Sequence, residues 1–316
     1  MRVFITRDIP AIARETLQQN GFKVAVYKKD NPISRKDLIN GCKNADAVIP
    51  LLTDKFDKEV IDQLKKCKVI ANYAVGYNNI DIEYAKKKGI VVTNTPDVLT
   101  DATADLAVTL ILACARHVVE GDMMVRKNKF TGWKPKLMRG IELKGKTVGI
   151  VGAGRIGQET GKRMKGFGTK VVYYSKSHKP EFEEASGARM VTLSRLLKSS
   201  DIISLHLPLS DKTFHLLDKK KLGFLKSNAI LVNTARGEIV DEKELIKLLR
   251  AKIIFSAGFD VYENEPNVNK ELYKLNNVVL LPHVGSATFE ARDKMAKLAA
   301  DNVIKVLSGK PALTPV

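Results

Sequence analysis

The sequence has few of the features that mark extracellular, membrane-spanning or metal-binding chains. Among its 316 residues there are only three cysteines, which stand far apart with no CxxC pair. This spacing argues against both a disulfide framework and a zinc knuckle. We therefore expect three buried free thiols, at Cys42, Cys67 and Cys114.

Long apolar runs are also missing. The longest apolar stretch, Ala102 to Ala115, contains Asp105 and is shorter than the roughly 20 residues that a membrane-spanning helix needs. The first residues, Met1 to Thr6, contain an apolar run that is too brief for the core of a signal peptide. We therefore expect a cytoplasmic protein with no membrane partner.

Acidic residues are scarce relative to basic ones, since 35 Asp and Glu face 53 Lys and Arg, for a formal net charge of +18. A basic protein can bind nucleic acid by releasing counterions from phosphate. Here the lysines are dispersed among acids, and no helix-turn-helix, zinc or stacking-aromatic pattern accompanies them. The charge therefore predicts a Lys-rich solvated surface that steers anionic ligands, and no nucleic-acid partner.

What the sequence does contain is a regular alternation of β-branched runs with amphipathic segments, which is typical of parallel sheets built from βαβ units. Its length and its 44% hydrophobic content favour about two domains. Strands predicted in the first region are Val3 to Thr6, Lys23 to Tyr27, Ala47 to Leu51, Val69 to Asn72 and Val91 to Thr93. Strands predicted in the second region are Thr147 to Val151, Lys170 to Tyr174, Asp201 to Leu205, Ala229 to Asn233, Ile254 to Phe259 and Val278 to Leu281.

Two long helices complete the pattern. One is predicted from Leu99 to Arg126, as a connection between the two regions, because Thr100 and Asp101 open it and few breakers follow. The other, Ala287 to Leu307, is expected to return and pack on the first region. The fold class is therefore α/β, with two Rossmann-like or flavodoxin-like domains containing parallel sheets, one of them discontinuous: residues 1–98 plus 288–316, and residues 99–287.

A glycine loop opens the second region. The run Gly152-Ala153-Gly154-Arg155-Ile156-Gly157 places GxGxxG directly after an apolar strand and before a helical pattern. Gly152 permits a tight turn, Gly154 allows the backbone to approach a pyrophosphate, and Gly157 allows close packing of helix on strand. The helix N-terminus offers free N–H groups to the anion. This domain is therefore predicted to bind a dinucleotide, which leaves the discontinuous domain for the substrate.

The second strand of that domain ends in Ser175-Lys176-Ser177-His178-Lys179. NAD-binding versions of the fold carry an acidic residue there, which accepts hydrogen bonds from the ribose 2′-hydroxyl. This chain has no carboxylate at that point, and its hydroxyl and ammonium groups can bind a 2′-phosphate. We therefore predict NADP(H) as the preferred cofactor. Glu181, just beyond, leaves NAD(H) as the alternative.

Three further segments lie at the ends of later strands, where open α/β sheets bind their ligands. They contain an arginine, a glutamate and a histidine, the groups needed to reduce a 2-oxo acid. Arg236 can grip a carboxylate with two prongs and polarise the carbonyl. His283 can donate a proton to the carbonyl oxygen, and Glu265 can orient the imidazole. Taken singly, each is more often a surface or structural residue.

The chain resembles the D-isomer-specific 2-hydroxyacid dehydrogenases, and within them most closely the glyoxylate/hydroxypyruvate reductases. Separate motifs carry the likeness in the family's order, from Tyr73-Ala74-Val75-Gly76-Tyr77-Asn78-Asn79-Ile80-Asp81 to Pro282-His283. The resemblance implies that Arg236, Glu265 and His283 are catalytic. It favours Glu265, immediately before Pro266, over its neighbour Glu263.

The resemblance also assigns binding roles. Cofactor-binding residues are expected at Thr103, Gly152, Ala153, Gly154, Arg155, Ile156, Gly157, Ser175, Lys176, Ser177, His206, Pro208, Thr234, Ala235, Arg236, Asp260, His283, Val284 and Gly285. Substrate-binding residues are expected at Val75, Gly76, Trp133, Arg236 and His283. The Trp133 segment is similar to one that reaches toward a partner's active site in the reductase branch, which implies a homodimer. No metal is expected.

Several alternatives stay open at this point. D-3-phosphoglycerate and D-lactate-type dehydrogenases share the same catalytic residues, although many of the former carry a further C-terminal regulatory domain. Formate dehydrogenases carry an amide where this chain has Glu265. Non-enzymatic corepressors of the same fold retain the triad and sense the cofactor, but they have long disordered tails. The small 2-oxo acid that serves as substrate, and the physiological direction, are left undetermined.

Overall fold

The computed structural model describes residues 1–316 and consists of alternating strands and helices. Up to residue 99 the elements are β1 (Arg2–Ile5), α1 (Ala11–Gln19), β2 (Lys23–Val26), α2 (Arg35–Cys42), β3 (Ala47–Ile49), α3 (Lys58–Asp62), β4 (Val69–Ala71), α4 (Ile82–Lys87) and β5 (Val91–Thr93). Then follow α5 (Thr100–Arg116), α6 (Val118–Arg126), β6 (Thr147–Val151), α7 (Arg155–Lys165), β7 (Lys170–Tyr174), α8 (Pro180–Ser186), β8 (Arg189–Met190), α9 (Leu193–Ser199) and β9 (Ile202–Leu205). The remaining elements are α10 (Lys219–Leu222), β10 (Ile230–Asn233), α11 (Glu242–Arg250), β11 (Ser256–Phe259), β12 (Val278–Leu280) and α12 (Phe289–Leu307).

The chain divides into two compact units. Unit 1 comprises Met1–Leu99 together with Ser286–Val316, and unit 2 comprises Thr100–Gly285. Unit 1 is therefore discontinuous, because the chain leaves it at Leu99 and returns to it at Ser286. The boundaries predicted from the sequence, after residues 98 and 287, lie within two residues of these positions.

Unit 1 is built on a five-stranded parallel sheet of order β2-β1-β3-β4-β5. Alternate strand residues point to opposite faces, so Phe4, Val48 and Ile70 lie in one cluster that also contains residues of α2, α3 and α4. On the other face, α12 packs against α1, β3 and β4. The prediction that the last helix returns to the first region is confirmed.

Unit 2 is built on a seven-stranded parallel sheet of order β12-β11-β10-β9-β6-β7-β8. The order in which successive strands are added to the sheet reverses between β6 and β9. This is the point where doubly wound sheets bind dinucleotides. All eleven predicted strands form, with ends that differ by up to two residues. The twelfth, β8, was missed because its two residues are exposed and too few to show a pattern.

The single long helix predicted from Leu99 to Arg126 is wrong. The chain forms α5 and α6 instead, bent by 64° at His117, whose φ of 52° is left-handed. The carbonyl oxygen of Ala115 accepts a hydrogen bond from the N–H of Ile141 (2.8 Å), and Gly140 lies so close to that carbonyl that a Cβ would overlap it. A distant segment therefore ends α5, where the local sequence carries no breaker.

No single helix is both long and apolar enough to cross a membrane; only α5 and α6 added together reach that length and composition. The three cysteines are free and buried. Burial raises the pKa of both the Cys67 and Cys114 thiols to about 12, so neither is a thiolate near neutral pH.

Candidate active site

Three loops at one edge of the unit 2 sheet contain the predicted catalytic residues. Arg236 follows β10, Glu265 follows β11 and His283 follows β12. These strands are parallel neighbours, so their carboxyl ends lie at the same edge of the sheet. Residues far apart in sequence are thereby brought together by the strand order alone.

The histidine and the glutamate form a direct pair. Nδ1 of His283 donates to Oε2 of Glu265 (2.8 Å), and the other carboxylate oxygen accepts from the N–H of Tyr262 (2.9 Å). Burial raises the pKa of Glu265, but the hydrogen bond and charge of His283, the N–H of Tyr262 and the charge of Arg236 outweigh it, so the pKa lies below its usual value. Glu265 is therefore ionised and leaves Nε2 of His283 facing away from the pair.

The backbone at and after His283 fixes the position of the imidazole. His283 has a left-handed φ of 56°, a conformation that costs free energy in a non-glycine residue and is often found at functional sites. Asp260 offsets this, because its carboxylate accepts from the N–H groups of Val284 (2.7 Å) and Gly285 (2.8 Å). Burial raises the pKa of Asp260 despite these two hydrogen bonds.

Thr103, Asp260 and Gly285 meet at one point of unit 2. A Cβ on Gly285 would lie 3.1 Å from Oδ2 of Asp260 and 3.4 Å from Cγ2 of Thr103. Thr103 and Asp260 are both buried. The structure thus brings together residues that the resemblance assigned separately to the nicotinamide end of the cofactor.

Arg236 lies on a turn that Asn233 closes. The amide of Asn233 donates to the carbonyl oxygen of Arg236 (2.8 Å), and its oxygen accepts from the N–H of Ala235 (3.0 Å). Nη1 of Arg236 donates to the carbonyl oxygen of Ala235 (2.7 Å). Burial lowers the pKa of Arg236 against the opposing charges of Glu265 and Glu238, but a guanidinium stays charged at neutral pH.

The glycine loop has the geometry that its motif predicts. Gly152 has a φ of 101°, and a Cβ there would lie 2.7 Å from the carbonyl oxygen of His206. A Cβ on Gly157 would overlap the carbonyl oxygen of Gly152, whereas Gly154 has no atom within 4 Å of its Cβ position. Gly154 also begins α7, with no side chain capping its N–H groups. An open cradle before a helix N-terminus fits a pyrophosphate.

Other predicted cofactor residues lie beside this loop or at neighbouring strand ends. Nε2 of His206 lies 2.8 Å from Oγ of Ser204, and burial lowers the pKa of His206 to about 3, so its ring is neutral. The hydroxyl oxygen of Thr234 is buried without a hydrogen-bond partner. An unsatisfied hydroxyl of this kind is suited to a ligand, since buried polar groups otherwise find partners.

A carboxylate that was not predicted, that of Glu183 on α8, lies beside the end of β7. Nε2 of His178 donates to Oε2 of Glu183 (3.0 Å), and the hydroxyl of Tyr173 donates to Oε1 of the same residue (2.9 Å). Lys176 and Ser177 are exposed on the turn itself. Glu183 was difficult to find because it lies on α8, beyond the turn, and reaches the strand only through the tertiary fold.

In unit 1, neutral amides hold the Val75-Gly76 segment. The amide of Asn94 donates to the carbonyl oxygen of Val75 (2.8 Å), and the amide of Asn72 donates to that of Gly76 (2.9 Å). Neither N–H group of this segment donates to an atom of the chain. Its carbonyl groups are thus occupied, and its two donors are available.

The residues of unit 2 match the NAD-binding domain of the D-isomer-specific 2-hydroxyacid dehydrogenases over positions 108–285. A glyoxylate reductase of Thermococcus litoralis is 51% identical over 98% of this chain and 94% of its own length. The chain belongs to this family. A Thermus thermophilus protein of known structure superposes with a TM-score of 0.95 at 42% identity over the whole of both chains. An NADPH-dependent glyoxylate/hydroxypyruvate reductase of Sinorhizobium meliloti does so with a TM-score of 0.86 at 31% identity, covering 100% and 97%.

As a D-isomer-specific 2-hydroxyacid dehydrogenase, this chain is an oxidoreductase that uses a nicotinamide cofactor, and the glycine loop and the neighbouring strand ends of unit 2 would hold it. Sequence reasoning missed Asn233 and His215, which shape the loops of the site without touching the reacting atoms. Asn233 had a recognisable signal, because Asn at a strand end commonly closes a turn through its side chain. His215 had none, as its partner is distant in sequence.

Proposed function

We propose that this dehydrogenase reduces glyoxylate to glycolate and hydroxypyruvate to D-glycerate. The observation that carries the proposal is the 2.8 Å pair of His283 and Glu265, whose carboxylate also feels the charge of the half-buried Arg236, in a chain of this family. The glyoxylate reductase of Thermococcus litoralis, which shares half of its residues with this chain, supports the choice of acids. Reduction of a small 2-oxo acid needs one cation that binds its carboxylate and one general acid that protonates its carbonyl oxygen.

The protein's own groups divide the work. The guanidinium of Arg236 binds the substrate carboxylate and polarises the carbonyl. In unit 1, the N–H groups of Val75 and Gly76 are free donors of the kind that binds a carboxylate. His283, as the imidazolium, donates a proton from Nε2 to the carbonyl oxygen, while Glu265 holds Nδ1 and stabilises the positive charge. The reduced nicotinamide supplies the hydride that the carbonyl carbon accepts. Oxidation uses the same groups with His283 starting neutral.

A spectrophotometric assay tests the proposal. Loss of reduced-nicotinamide absorbance is followed with glyoxylate, hydroxypyruvate, pyruvate and 3-phosphohydroxypyruvate, each against NADPH and NADH. We expect the highest kcat/KM with glyoxylate or hydroxypyruvate. Faster turnover of 3-phosphohydroxypyruvate or pyruvate would identify that acid as the substrate instead. Cofactor binding without any turnover would indicate a sensing module.

We further propose that NADPH is the preferred cofactor, with NADH as a weaker alternative. Support comes from the Ser175-Lys176-Ser177 turn after β7, where Lys176 and Ser177 are exposed, and from the NADPH-dependent Sinorhizobium reductase of similar fold. Glu183 is already engaged by His178 and Tyr173, which limits its repulsion of a 2′-phosphate. The variant Lys176→Glu should lower the ratio of kcat/KM for NADPH over NADH about tenfold, whereas Lys170→Glu, exposed at the opposite end of β7, serves as a charge-matched control.

We also propose a homodimer formed through unit 2. Helix α6 has no buried residue. Its apolar side chains Val118, Met123 and Val125 are exposed, and Trp133, which follows the helix, is 83% exposed. Apolar surface of this extent commonly marks a protein interface. Light scattering after size-exclusion chromatography should give twice the chain mass, and Met123→Asp with Val125→Asp should give monomers. A monomeric wild-type protein would contradict the dimer.

A further inference from the structure

A second histidine–glutamate pair lies on the same turn as the catalytic one. Nε2 of His215 donates to Oε1 of Glu263 (3.0 Å), while Nδ1 of His283 donates to Oε2 of Glu265 (2.8 Å). The two glutamates are separated by a single residue. The turn after β11 therefore contains two carboxylates, and each is held by a different histidine.

The backbone fixes His215 in place. It has a left-handed φ of 44°, and its N–H donates to the carbonyl oxygen of Glu238 (2.7 Å), in the short turn that follows Arg236. Two residues later, the N–H of Leu217 donates to the carbonyl oxygen of Ile239 (3.0 Å). The ring of Phe214 stacks on the imidazole with centroids 4.2 Å apart. His215 is thus anchored to the loop that contains Arg236.

Glu263 is anchored on the opposite loop. Its N–H donates to Oε2 of Glu242 (3.3 Å), a buried carboxylate whose pKa is raised by burial and by the nearby charge of Glu263. Gly237 approaches the backbone of Tyr262 and Glu263 so closely that a Cβ would overlap it. The Arg236 loop and the Glu265 turn therefore meet backbone to backbone, and the His215–Glu263 pair joins them by side chains.

We propose that His215 is a positioning residue that restrains Glu263, so that Glu265 alone orients the catalytic imidazole. Without this restraint, the carboxylate of Glu263 would be free on the same short turn as Glu265, where it would compete for Nδ1 of His283. The charged group that contacts the imidazole of His215 is Glu263. Glu265 contacts the imidazole of His283, and Asp260 lies close enough to interact with its charge. The role rests on the proposed reduction, because it serves the proton donor of that reaction.

Three variants separate this role from simple structural support. In His215→Ala the restraint is lost, and we expect kcat to fall about tenfold because the imidazole is misoriented, with a changed pH profile. In His215→Gln the amide can still donate to Glu263, so kcat should stay within about threefold of wild type. In His215→Ala with Glu263→Gln the competing charge is gone, so both kcat and the pH profile should recover.

Nitrogen NMR of the cofactor-free protein provides a readout that does not need turnover. The chain has five histidines, and His283→Ala assigns the relevant signals. We expect the Nδ1 signal of His283 to move in His215→Ala and to return in the double variant. Thermal unfolding of each variant shows whether the fold is retained at the assay temperature.

The outcomes are distinguishable. An unmoved pH profile and an unmoved His283 signal in His215→Ala, or equal losses in the single and double variants, would overturn the positioning role. If wild-type protein reduces neither glyoxylate nor hydroxypyruvate, the proposed function fails. In that case the NMR comparison still decides whether His215 controls the partner of His283.

Discussion

The two parallel sheets present chemically different loops at their carboxyl edges. In unit 1 the loops are held mainly by neutral amides: the amide of Asn79 donates to the carbonyl oxygens of Leu51 (3.2 Å) and Asp54 (3.1 Å), and Asn72 holds Gly76. In unit 2 the amide of Asn233 closes the Arg236 turn, but carboxylates hold the His283 loop, with Asp260 on two backbone N–H groups and Glu265 on His283. The Val75-Gly76 segment of unit 1 is therefore held by groups that do not titrate, whereas the His283 loop of unit 2 is held by groups that do.

This difference has a consequence for stability. The pKa of Glu265 in the folded protein lies below its usual value, so its contribution to stability is present above that usual value, about 4.3, and is lost as the pH falls through the folded pKa. The pKa of Asp260 is raised. Its contribution has the opposite sign: it is greatest below about 3.9 and declines as the pH rises through the folded pKa.

The largest expected effect on kcat comes from removing the proton donor of unit 2. His283→Ala should lower kcat for reduction by about 10²- to 10⁴-fold, since the proposed general acid is lost. Binding of the reduced cofactor, followed by its fluorescence, should stay measurable because the glycine loop is untouched. His178→Ala, at a paired surface histidine and assayed at saturating cofactor, is the matched control for kcat. Unchanged turnover in His283→Ala would remove that residue from its role.

The second effect concerns the charge of Glu265. Glu265→Gln should lower kcat roughly 10- to 100-fold, because a charged hydrogen bond is lost. The pH profile for reduction should also change, because a neutral amide replaces the carboxylate that accepts from Nδ1 of His283. Glu263→Gln, two residues away, removes the same charge and should leave both quantities nearly unchanged. Equal effects of the two substitutions would contradict the assignment of Glu265.

The third effect compares two glycines of one motif. Gly157→Ala places a Cβ on the carbonyl oxygen of Gly152, so the melting temperature should fall sharply. Gly154→Ala meets no atom within 4 Å, so the melting temperature should hold while cofactor binding weakens about tenfold, because a methyl group enters the pyrophosphate cradle. Calorimetry and cofactor titration measure both quantities. A Gly154→Ala protein that binds the cofactor normally would argue against the cradle.

The smallest effect on chemistry is expected in unit 1. Asn72→Ala leaves the carbonyl of Gly76 without its amide donor, which should cost about 1–3 kcal/mol of stability and raise KM through a looser Val75-Gly76 segment. The pH profile of kcat should not move, because no titratable group is lost. Comparing this profile with that of Glu265→Gln sharpens the contrast between the units. A shifted profile in Asn72→Ala would show that the contrast is wrong.

Prediction from the sequence succeeded where the signal was local. The strands were recognisable because each is a short β-branched run that ends at a turn signal, and the glycine loop was recognisable because its spacing and context are specific. The break at His117 could not be predicted, since α5 ends where Ile141, distant along the chain, takes the carbonyl of Ala115. The same holds for Glu183, whose contact with His178 depends on the packing of α8.

The sequence by itself determined the order of strands and helices, the dinucleotide loop and the presence of an arginine, a glutamate and a histidine at successive strand ends, because these follow from periodicity and spacing. The resemblance favoured Glu265 as the catalytic carboxylate, but the pairing of Glu263 with His215 is visible only in the folded protein. Glu263 and Glu265 are equivalent by residue type, and their partners, His215 and His283, are brought to them by the sheet. Hydrogen bonds between residues so far apart in the chain depend on the three-dimensional arrangement of strands and loops, which no local pattern encodes.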